Sequence, residues 1–445
     1  MPGSTVRWNG PHLRWLRDGA CEIEDGTGLL DLSRLRNHRH VLVGVSGGSD
    51  SMALLHLLHA AGFECEAVTV DHGLRAGSAA EADYVREACR DLDVRHQVRR
   101  WSTARPGPGL SRRAREARRT LLAGAGTTLL SGAPIVLGHT LDDQAETVRM
   151  RARRGGGTLG LSGIPPLARL ANGRAVVRPL LGTSREALRG YLRRRALHWI
   201  DDPSNADRSF ERVRVREGCH GIDNAAVARL ARVAWRMRLA LMRDVARLFD
   251  EGLTLAAPGY WRLDTASRGG HGPRDEVLVL AVRVLAAVEG GRMQLPPADA
   301  VRRAVARDAF SISRTVVRRE GALFLFRREL RNLPESRSAA EGSAWDGRFS
   351  LWGSTGTVRT WNALDVKGAK GLSPWQRDVL CALPHVEGAR GHGPLWAPVK
   401  RVWRLWSEIV SQSDVAIVNA LERAEGRHRF GARAERLRRA YAPTS

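Results

Sequence analysis

Val41-Leu42-Val43-Gly44-Val45-Ser46-Gly47-Gly48-Ser49-Asp50-Ser51-Met52-Ala53-Leu54-Leu55 is the stretch whose reading decides the fold. Its five leading residues form a short apolar run, the signature of a strand covered on both faces in a parallel sheet. The residues from Asp50 to Ala61 predict a helix that is apolar nearly all round. Between strand and helix stand Gly47 and Gly48, which allow a tight turn and close approach of backbone to a ligand. Successive N–H groups then gather at a helix N-terminus, where the dipole favours an anion. Ser46 and Ser51 add hydroxyl donors. Ser46, Gly47, Gly48, Ser49, Asp50 and Ser51 are therefore candidate nucleotide-binding residues. A Walker loop is excluded, because no Gly-Lys-Ser/Thr follows. Asp50 would repel a bare phosphate, but it suits a Mg²⁺ ion that itself bridges phosphate oxygens. A plain Gly-Gly turn capped by Ser and Asp is the bland alternative, and the complete string after an apolar strand is more specific than that.

Outward from this stretch, strands and helices alternate. Strands are expected at Glu66 to Val70, His96 to Trp101, Ile135 to Gly138 and Ala175 to Val177. Helices are expected at Ser78 to Asp91, from Gly109 to about Ala125, at Asp142 to Arg154, and from a Thr183-Ser184-Arg185-Glu186 cap to about Ala196. This alternation predicts an α/β fold with a doubly wound parallel sheet. Ligands of such sheets lie beyond the carboxyl ends of the strands. Ser46 to Ser51, Asp71 to Arg75 and His139 to Glu146 all fall there. Residues 1–38 read as an N-terminal extension with a short hairpin around Asp25-Gly26, and 39–216 as the catalytic domain. Residues 217–333 read as mainly helical, with a strand at Ala322 to Phe326, and 334–445 as a small α+β domain rich in Trp and Gly. Periodic self-similarity is absent.

The composition narrows the partners. In 445 residues, 43% are hydrophobic and 27% charged, as in a globular protein of two or three domains. The longest apolar runs fall short of the roughly 18 residues a membrane helix needs, and the N-terminus does not read as a signal peptide. Cys21, Cys65, Cys89, Cys219 and Cys381 are scattered without a CxxC pair, which points to the reducing cytoplasm and away from a zinc or iron–sulfur site. The net charge of +24 favours a polyanion such as nucleic acid, although an arginine-rich proteome would raise the charge of every chain. Lys367, Lys370 and Lys400 are the only lysines. Phosphate chemistry in the first half must therefore rest on backbone N–H groups, arginines or a metal.

Three further segments carry chemistry. In His139-Thr140-Leu141-Asp142-Asp143-Gln144-Ala145-Glu146-Thr147, three acids crowd the first turn of a helix at i,i+3 and i,i+4 spacing. Acids there complement the dipole. Three of them with His139 exceed that need, and could hold Mg²⁺ or an ammonium group. Arg151, Arg153 and Arg154 precede the loop Gly155 to Gly163, a flexible basic loop within reach of a phosphate. Asp202-Pro203-Ser204-Asn205 is turn chemistry, followed by Arg212, Arg214 and Arg216, either a solvated helix face or an anion clamp.

In this order and spacing, these segments resemble the tRNA(Ile)-lysidine synthase family of PP-loop ATP-pyrophosphatases over about residues 39–216. Arg154-Gly155-Gly156-Gly157, Gly160-Leu161-Ser162-Gly163, Arg178-Pro179-Leu180-Leu181 and Trp199 with Asp202-Pro203-Ser204-Asn205 strengthen the likeness. Farther on, Trp345-Asp346-Gly347-Arg348-Phe349 and Ala382-Leu383-Pro384 are only faintly similar. The resemblance implies ATP and Mg²⁺, a CAU-anticodon tRNA(Ile) and free L-lysine. The C2 oxygen of the wobble cytidine is adenylated, and the lysine amine then displaces AMP. It assigns catalysis to Asp50, Asp143, Arg115 and Arg212, metal binding to Asp50, and lysine or cytidine binding to His139, Asp142, Asp143, Glu146, Arg118 and Arg216. Oligomeric state is left open.

The chain departs from the family pattern at three places. Ser111 stands where Glu is usual, Arg119 where Tyr is usual, and Val213 where Asn is usual. Two alternatives follow. One is another PP-loop tRNA enzyme of thiolase type, which the lack of clustered cysteines disfavours. The other is a tRNA-binding paralogue with weakened catalysis.

Overall fold

The computed structural model describes residues 13–15, 21–23, 28–73, 78–102, 107, 110–126, 132–170, 174–201, 207–209, 211–218, 223–256, 259–266, 272–339, 344–351, 356–360, 372–386, 399–401, 409–411 and 415–426. The chain divides into two compact units. The first holds residues 1–238 with 408–412, and the second holds 239–407 with 413–445.

The first unit opens with a two-stranded antiparallel ladder, β1 (Leu13–Trp15) on β2 (Cys21–Ile23). Asp25-Gly26, the expected turn, lies outside the described residues. Then the alternation follows: β3 (His40–Gly44), α1 (Ser49–Ala60), β4 (Glu64–Asp71), α2 (Ser78–Asp91), β5 (Arg95–Arg100) and α3 (Leu110–Ala123). After these come β6 (Ile135–Leu137), α4 (Leu141–Arg153), α5 (Gly157–Leu161), β7 (Leu167–Leu170), β8 (Ala175–Val177), α6 (Arg185–Arg194), α7 (Glu211–Glu217) and α8 (Asn224–Gly252). The boundary between units falls at Arg238, inside α8.

The strand order is Ile409–Ser411, β7, β8, β6, β3, β4, β5. The five strands β8 to β5 are mutually parallel, with Val43 of β3 opposite Ala67 of β4 on one side and Val136 of β6 on the other. Two antiparallel strands, β7 and Ile409–Ser411, extend the β8 edge. From β3 the chain winds to β4 and β5, then returns to lay β6 on the other flank of β3. That reversal puts a topological switch point between the carboxyl ends of β3 and β6, the place where a doubly wound sheet opens a crevice.

Alternating residues of β3 feed two cores. Val41, Val43 and Val45 pack with Leu54, Leu57 and Leu58 of α1 and with Leu188, Tyr191 and Leu192 of α6. Leu42 packs on the opposite face with Val68, Leu122, Ile135, Leu137 and Val176. Both faces are dry, which is why β3 reads as an unbroken apolar run.

In the second unit, β9 (Leu253–Ala256), β10 (Tyr260–Asp264), β11 (Ala309–Ile312), β12 (Thr315–Glu320) and β13 (Leu323–Arg328) form an antiparallel sheet in the order β11-β12-β13-β10-β9. Helix α9 (Asp275–Glu289) is buried along most of its length and packs on β12 and β13. The sequence had marked only the β13 strand of this sheet. Two three-stranded antiparallel sheets and the helix Pro374–Cys381 follow, around a core of Trp345, Phe349, Val358, Val379, Leu380 and Leu383.

Within that unit lies a dry ionic network. Arg328, Asp346, Arg348 and Glu289 have side chains no more than 2% exposed. Arg328 donates to Asp346 Oδ2 at 2.9 Å and Oδ1 at 3.1 Å. Arg348 donates to Asp346 Oδ2 at 3.0 Å, to Glu289 Oε1 at 3.0 Å and to the carbonyl of Ala382. Asp346 and Gly347 adopt φ of +50° and +71°, a left-handed turn between two short strands. The Trp345 to Phe349 segment is thus a structural staple.

Candidate active site

The crevice is built first from backbone. Gly47 has φ +82°, the left-handed region that glycine enters without strain. A Cβ on Gly47 would meet Ile200 Cδ1 at 3.0 Å, and the Ile200 N–H donates to the Gly47 carbonyl at 2.9 Å. Gly48 is the N-cap of α1, extended at φ −72°, ψ 159°, with no side-chain cap. Helix α1 therefore begins with its N-terminal N–H groups uncapped by a side chain, as an anion cradle requires. Ser51 Oγ accepts from the Ser46 N–H at 3.1 Å and donates to the Gly48 carbonyl at 3.0 Å, so it ties the turn together. Ser46, exposed, lies 3.2 Å from it hydroxyl to hydroxyl.

An acidic cup faces this turn across the switch point. Thr140 and Asp143 form a reciprocal capping box on α4: the Thr140 N–H donates to Asp143 Oδ2 at 2.9 Å, and the Asp143 N–H donates to Thr140 Oγ1 at 3.3 Å. That leaves Asp143 Oδ1 to face Arg185 at 3.5 Å. Asp142 is occupied on both oxygens, by the Arg185 N–H at 2.7 Å and by Asn224 Nδ2 at 2.8 Å, so it holds α6 and α8 to α4. Glu146 is buried; its Oε1 accepts from Arg216 Nε at 2.8 Å, while its Oε2 has no hydrogen-bond partner. Asp50 completes the cup, with Oδ2 accepting from Arg185 Nε at 3.0 Å and Oδ1 accepting from Ser49 Oγ at 3.3 Å. Burial pushes the Asp50 carboxyl above the usual carboxylate range; Arg185 pulls it back and Asp143 adds to the rise.

The opposite wall is basic. Arg178 is buried, donates to the Pro165 carbonyl at 2.7 Å, and leaves its Nε without a hydrogen-bond partner. Burial, then the nearby Arg115, Arg118 and Arg119 guanidiniums, lowers Arg178 to about 10. Arg115 is likewise lowered by burial and then by Arg212, Arg119, Arg118 and Arg151. Arg118 is lowered by burial but drawn up by Asp143, which it faces. His139 stands among these cations. Burial first, and Arg178, Arg118, Arg212 and Arg115 after it, hold its imidazole well below 6.5 and hence neutral at pH 7. Its Nδ1 is buried without a hydrogen-bond partner. Guanidiniums that repel one another in a half-buried wall form a ready anion site.

The Gly155 loop, read from sequence as a flexible basic loop, is tied down. Gln144 donates to the Ile164 carbonyl at 3.2 Å and accepts from its N–H at 2.6 Å. A Cβ on Gly163, at φ +62°, would stand 2.3 Å from Gln144 Oε1. Arg151 donates to the Gly163 carbonyl at 2.7 Å, and Arg154 pairs with Glu211 of α7.

Of the sequence-assigned residues, Ser46 to Ser51, His139, Asp142, Asp143, Glu146 and Arg216 gather at the switch point with Arg115, Arg118 and Arg212. Two readings need adjustment. The cap of α6 is Ser184, which accepts from the Ala187 N–H at 3.2 Å, whereas Thr183 donates to the Leu29 carbonyl. Val213 is buried in α7, so its side chain is part of the packing. Of the Asp71 to Arg75 segment, Asp71 accepts from the Gly73 N–H at 2.8 Å and from Arg100 at 3.1 Å, and Leu74 and Arg75 lie outside the described residues, as do Asp202 to Ala206. Sequence reasoning missed Arg185, Arg178 and Asn224 as site residues. Arg178 could have been found as a charged residue beside an apolar strand; Arg185 carried no such mark.

Comparison with known proteins matches this architecture. A PP-loop domain spans residues 24–220. The tRNA(Ile)-lysidine synthase of Mesorhizobium japonicum is 40% identical over 327 residues, covering 69% of this chain and 71% of that protein. The tRNA(Ile)-lysidine synthase of Brucella canis is 33% identical over 433 residues, covering 87% of this chain and 94% of that protein. Among solved structures, a U34-tRNA thiolase from Methanococcus maripaludis aligns with a TM-score of 0.37 at 18% identity, over 44% of this chain and 72% of that one. Identity sustained from the PP-loop through most of the chain makes this chain a member of the tRNA(Ile)-lysidine synthase family.

Proposed function

We propose that this ATP-using carbon–nitrogen ligase adenylates the C2 oxygen of the wobble cytidine in CAU-anticodon tRNA(Ile), then replaces the adenylate with free L-lysine, in the cytoplasm. One observation carries the reading. An anion-cradling turn, an acidic cup and an arginine wall meet at a single switch point. A nucleotide triphosphate needs the first, an amine the second, and a polyanionic RNA with departing pyrophosphate the third.

The cytidine oxygen attacks the α-phosphorus, and the bond to the bridging oxygen breaks, so that pyrophosphate leaves with the bonding pair. The turn from Ser46 to Ser51 holds the phosphates through N–H groups, and Arg115, Arg118 and Arg212 balance the charge of pyrophosphate and adenylate. In the second step the lysine ε-ammonium loses a proton to a carboxylate of the cup, the neutral nitrogen bonds to C2 as the C2–O bond breaks with its pair leaving on AMP, and a second N–H proton is released to solvent. Asp143 and Glu146 hold the lysine ammonium, and Arg216 orients Glu146. Neutral His139 hydrogen-bonds the cytidine without adding charge.

Mg²⁺ fits the residues present. Mg²⁺ is held by one or two carboxylates together with substrate phosphates, and Asp50 offers one oxygen-donor carboxylate beside the phosphate turn. When bound there, Mg²⁺ supplies Lewis acidity at the phosphate oxygens. Residues 39–216 form the catalytic domain, and residues 217–333 and 334–445 grip the tRNA by shape and phosphates.

The test is transfer of radiolabelled lysine to CAU-anticodon tRNA(Ile) by the purified protein. ATP-dependent incorporation supports the reading. Folded protein that incorporates no lysine overturns it.

A further inference from the structure

Arg185 is the first residue of α6, directly after its N-cap Ser184. A cation is disfavoured at that position, because the helix dipole is positive there. Something else must hold it. Its side chain is 23% exposed and spends three nitrogens on three different carboxylates. Nε donates to Asp50 at 3.0 Å, one terminal nitrogen to Asp143 at 3.5 Å, and the other lies 4.0 Å from Glu146. Its backbone N–H takes the fourth acid, Asp142. One residue therefore hydrogen-bonds three carboxylates of the cup and lies within ion-pair distance of the fourth.

Carboxylates are also the donors that a hard divalent ion takes, but with Arg185 among them no three such side chains among the described residues are placed to hold a metal ion. Charge decides between the outcomes. Asp50, Asp142, Asp143 and Glu146 bring four negative charges; Arg185 offsets one, Arg216 on Glu146 a second, and Arg118 near Asp143 a third. What is left suits a single additional ammonium better than a dication chelated by the cup alone. Glu146 Oε2, buried and without a hydrogen-bond partner, retains capacity for one more donor.

We propose that Arg185 is a specificity-determining and positioning residue: a resident guanidinium that stops Asp143 and Glu146 from chelating a divalent cation and so reserves them for the lysine ammonium. Asp50 is then the one acid shared with a nucleotide-bound metal. This inference rests on the reading of the cup as the amine site. The positive charge excludes the dication, and the planar fork, which lysine lacks, holds the spaced carboxylates in place for the amine.

The test is Mn²⁺ binding to the full-length protein without nucleotide or tRNA, followed by electron paramagnetic resonance of the free ion, with circular dichroism to confirm folding. Arg185→Gln should bind Mn²⁺ about tenfold tighter or more than the natural protein, the scale of removing one unit charge from a half-buried site. Adding Asp143→Asn to that variant should abolish the gain. Arg185→Lys keeps the charge but not the fork, so its Mn²⁺ affinity should stay weak while its KM for lysine rises several-fold more than its kcat falls. Unchanged Mn²⁺ affinity in Arg185→Gln, a gain that survives Asp143→Asn, or tight Mn²⁺ binding by Arg185→Lys each overturns the proposal. If Arg185→Gln does not fold, the Lys variant decides alone: weak Mn²⁺ binding with a raised lysine KM supports the role, and any other result removes it. A natural protein that incorporates no lysine would count against the proposed reaction, whereas the Mn²⁺ readout needs no turnover.

Discussion

Gly138, just past the end of β6, lies against Asp50 in the first turn of α1: a Cβ on Gly138 would stand 3.0 Å from the Asp50 carbonyl oxygen and 3.4 Å from the Ser51 Cα. Backbone meets backbone here, so neither side can yield by turning a rotamer. Gly138→Ala must move the start of α1, and with it the phosphate turn. An overpacked core site of this kind costs about 1–3 kcal/mol. The expected outcome is a raised KM for ATP, by about tenfold for each 1.4 kcal/mol that falls on the turn, with little change in tRNA affinity. Steady-state kinetics and filter binding check it; an unchanged KM for ATP would show that the contact does not set the turn.

Asp50→Asn keeps the shape of the cup edge and removes its charge. Adenylation should fall about 10²–10³-fold, as when one electrostatic group is removed from a preorganised site. tRNA binding should be nearly unaffected, because the proposed grip on tRNA phosphates does not use Asp50. ATP-dependent AMP release and tRNA binding, measured side by side, test the metal role; normal turnover in this variant would exclude it.

His139 ties stability to pH. In the unfolded chain its pKa returns to about 6.5, whereas burial and the surrounding arginines hold the folded value well below that. As pH falls through about 6.5, the unfolded state gains a proton that the folded state refuses, so stability declines as the pH drops and keeps declining until the folded imidazole titrates. His38, His56, His72 and His96 are lowered by burial in the same direction. Urea unfolding between pH 7.5 and 5.5 should therefore show a falling free energy, with a shallower slope in His139→Gln. An identical slope would mean that His139 is accessible to protons in the folded protein.

Arg348→Ala is expected to destabilise the second unit by about 3–5 kcal/mol, because it takes a buried guanidinium away from the buried carboxylates of Glu289 and Asp346. The Arg348 guanidinium donates to Asp346, to Glu289 and to the Ala382 carbonyl, and lies over the Phe349 ring. Chemical denaturation followed by tryptophan fluorescence reads this directly, since Trp345 sits beside the network in a dry core. A loss below about 1 kcal/mol, the worth of an exposed pair, would show that water reaches the network.

The parallel strands were legible because their signal is local. Five apolar residues at Val41 to Val45 and three at Ile135 to Leu137 need no knowledge of their neighbours. The switch point followed from that alternation, and so did the meeting of Ser46 to Ser51 with His139 to Glu146. What escaped depended on distance or on unusual turns. Arg185 looks like any residue opening a capped helix; its meaning arises only when folding brings Asp50, 135 positions away, to its side chain. Strand β11 joins β12 through Ser313 and Arg314, both left-handed at φ +51° and +65°, where sequence readers look for Asn-Gly. Asp142 carried the same acidic mark as Asp143, yet its oxygens are consumed by holding helices together.

The strand Ile409–Ser411 pairs with β7 and closes one edge of the sheet that carries the phosphate turn. Synthesis runs from the amino end, so the ribosome has polymerised some four hundred residues before this edge can be covered. Until then β7 displays an open row of peptide groups, the kind of template that recruits foreign strands. A chain that stops between β7 and Ile409 therefore keeps that edge of the sheet unpaired with its own terminal strand.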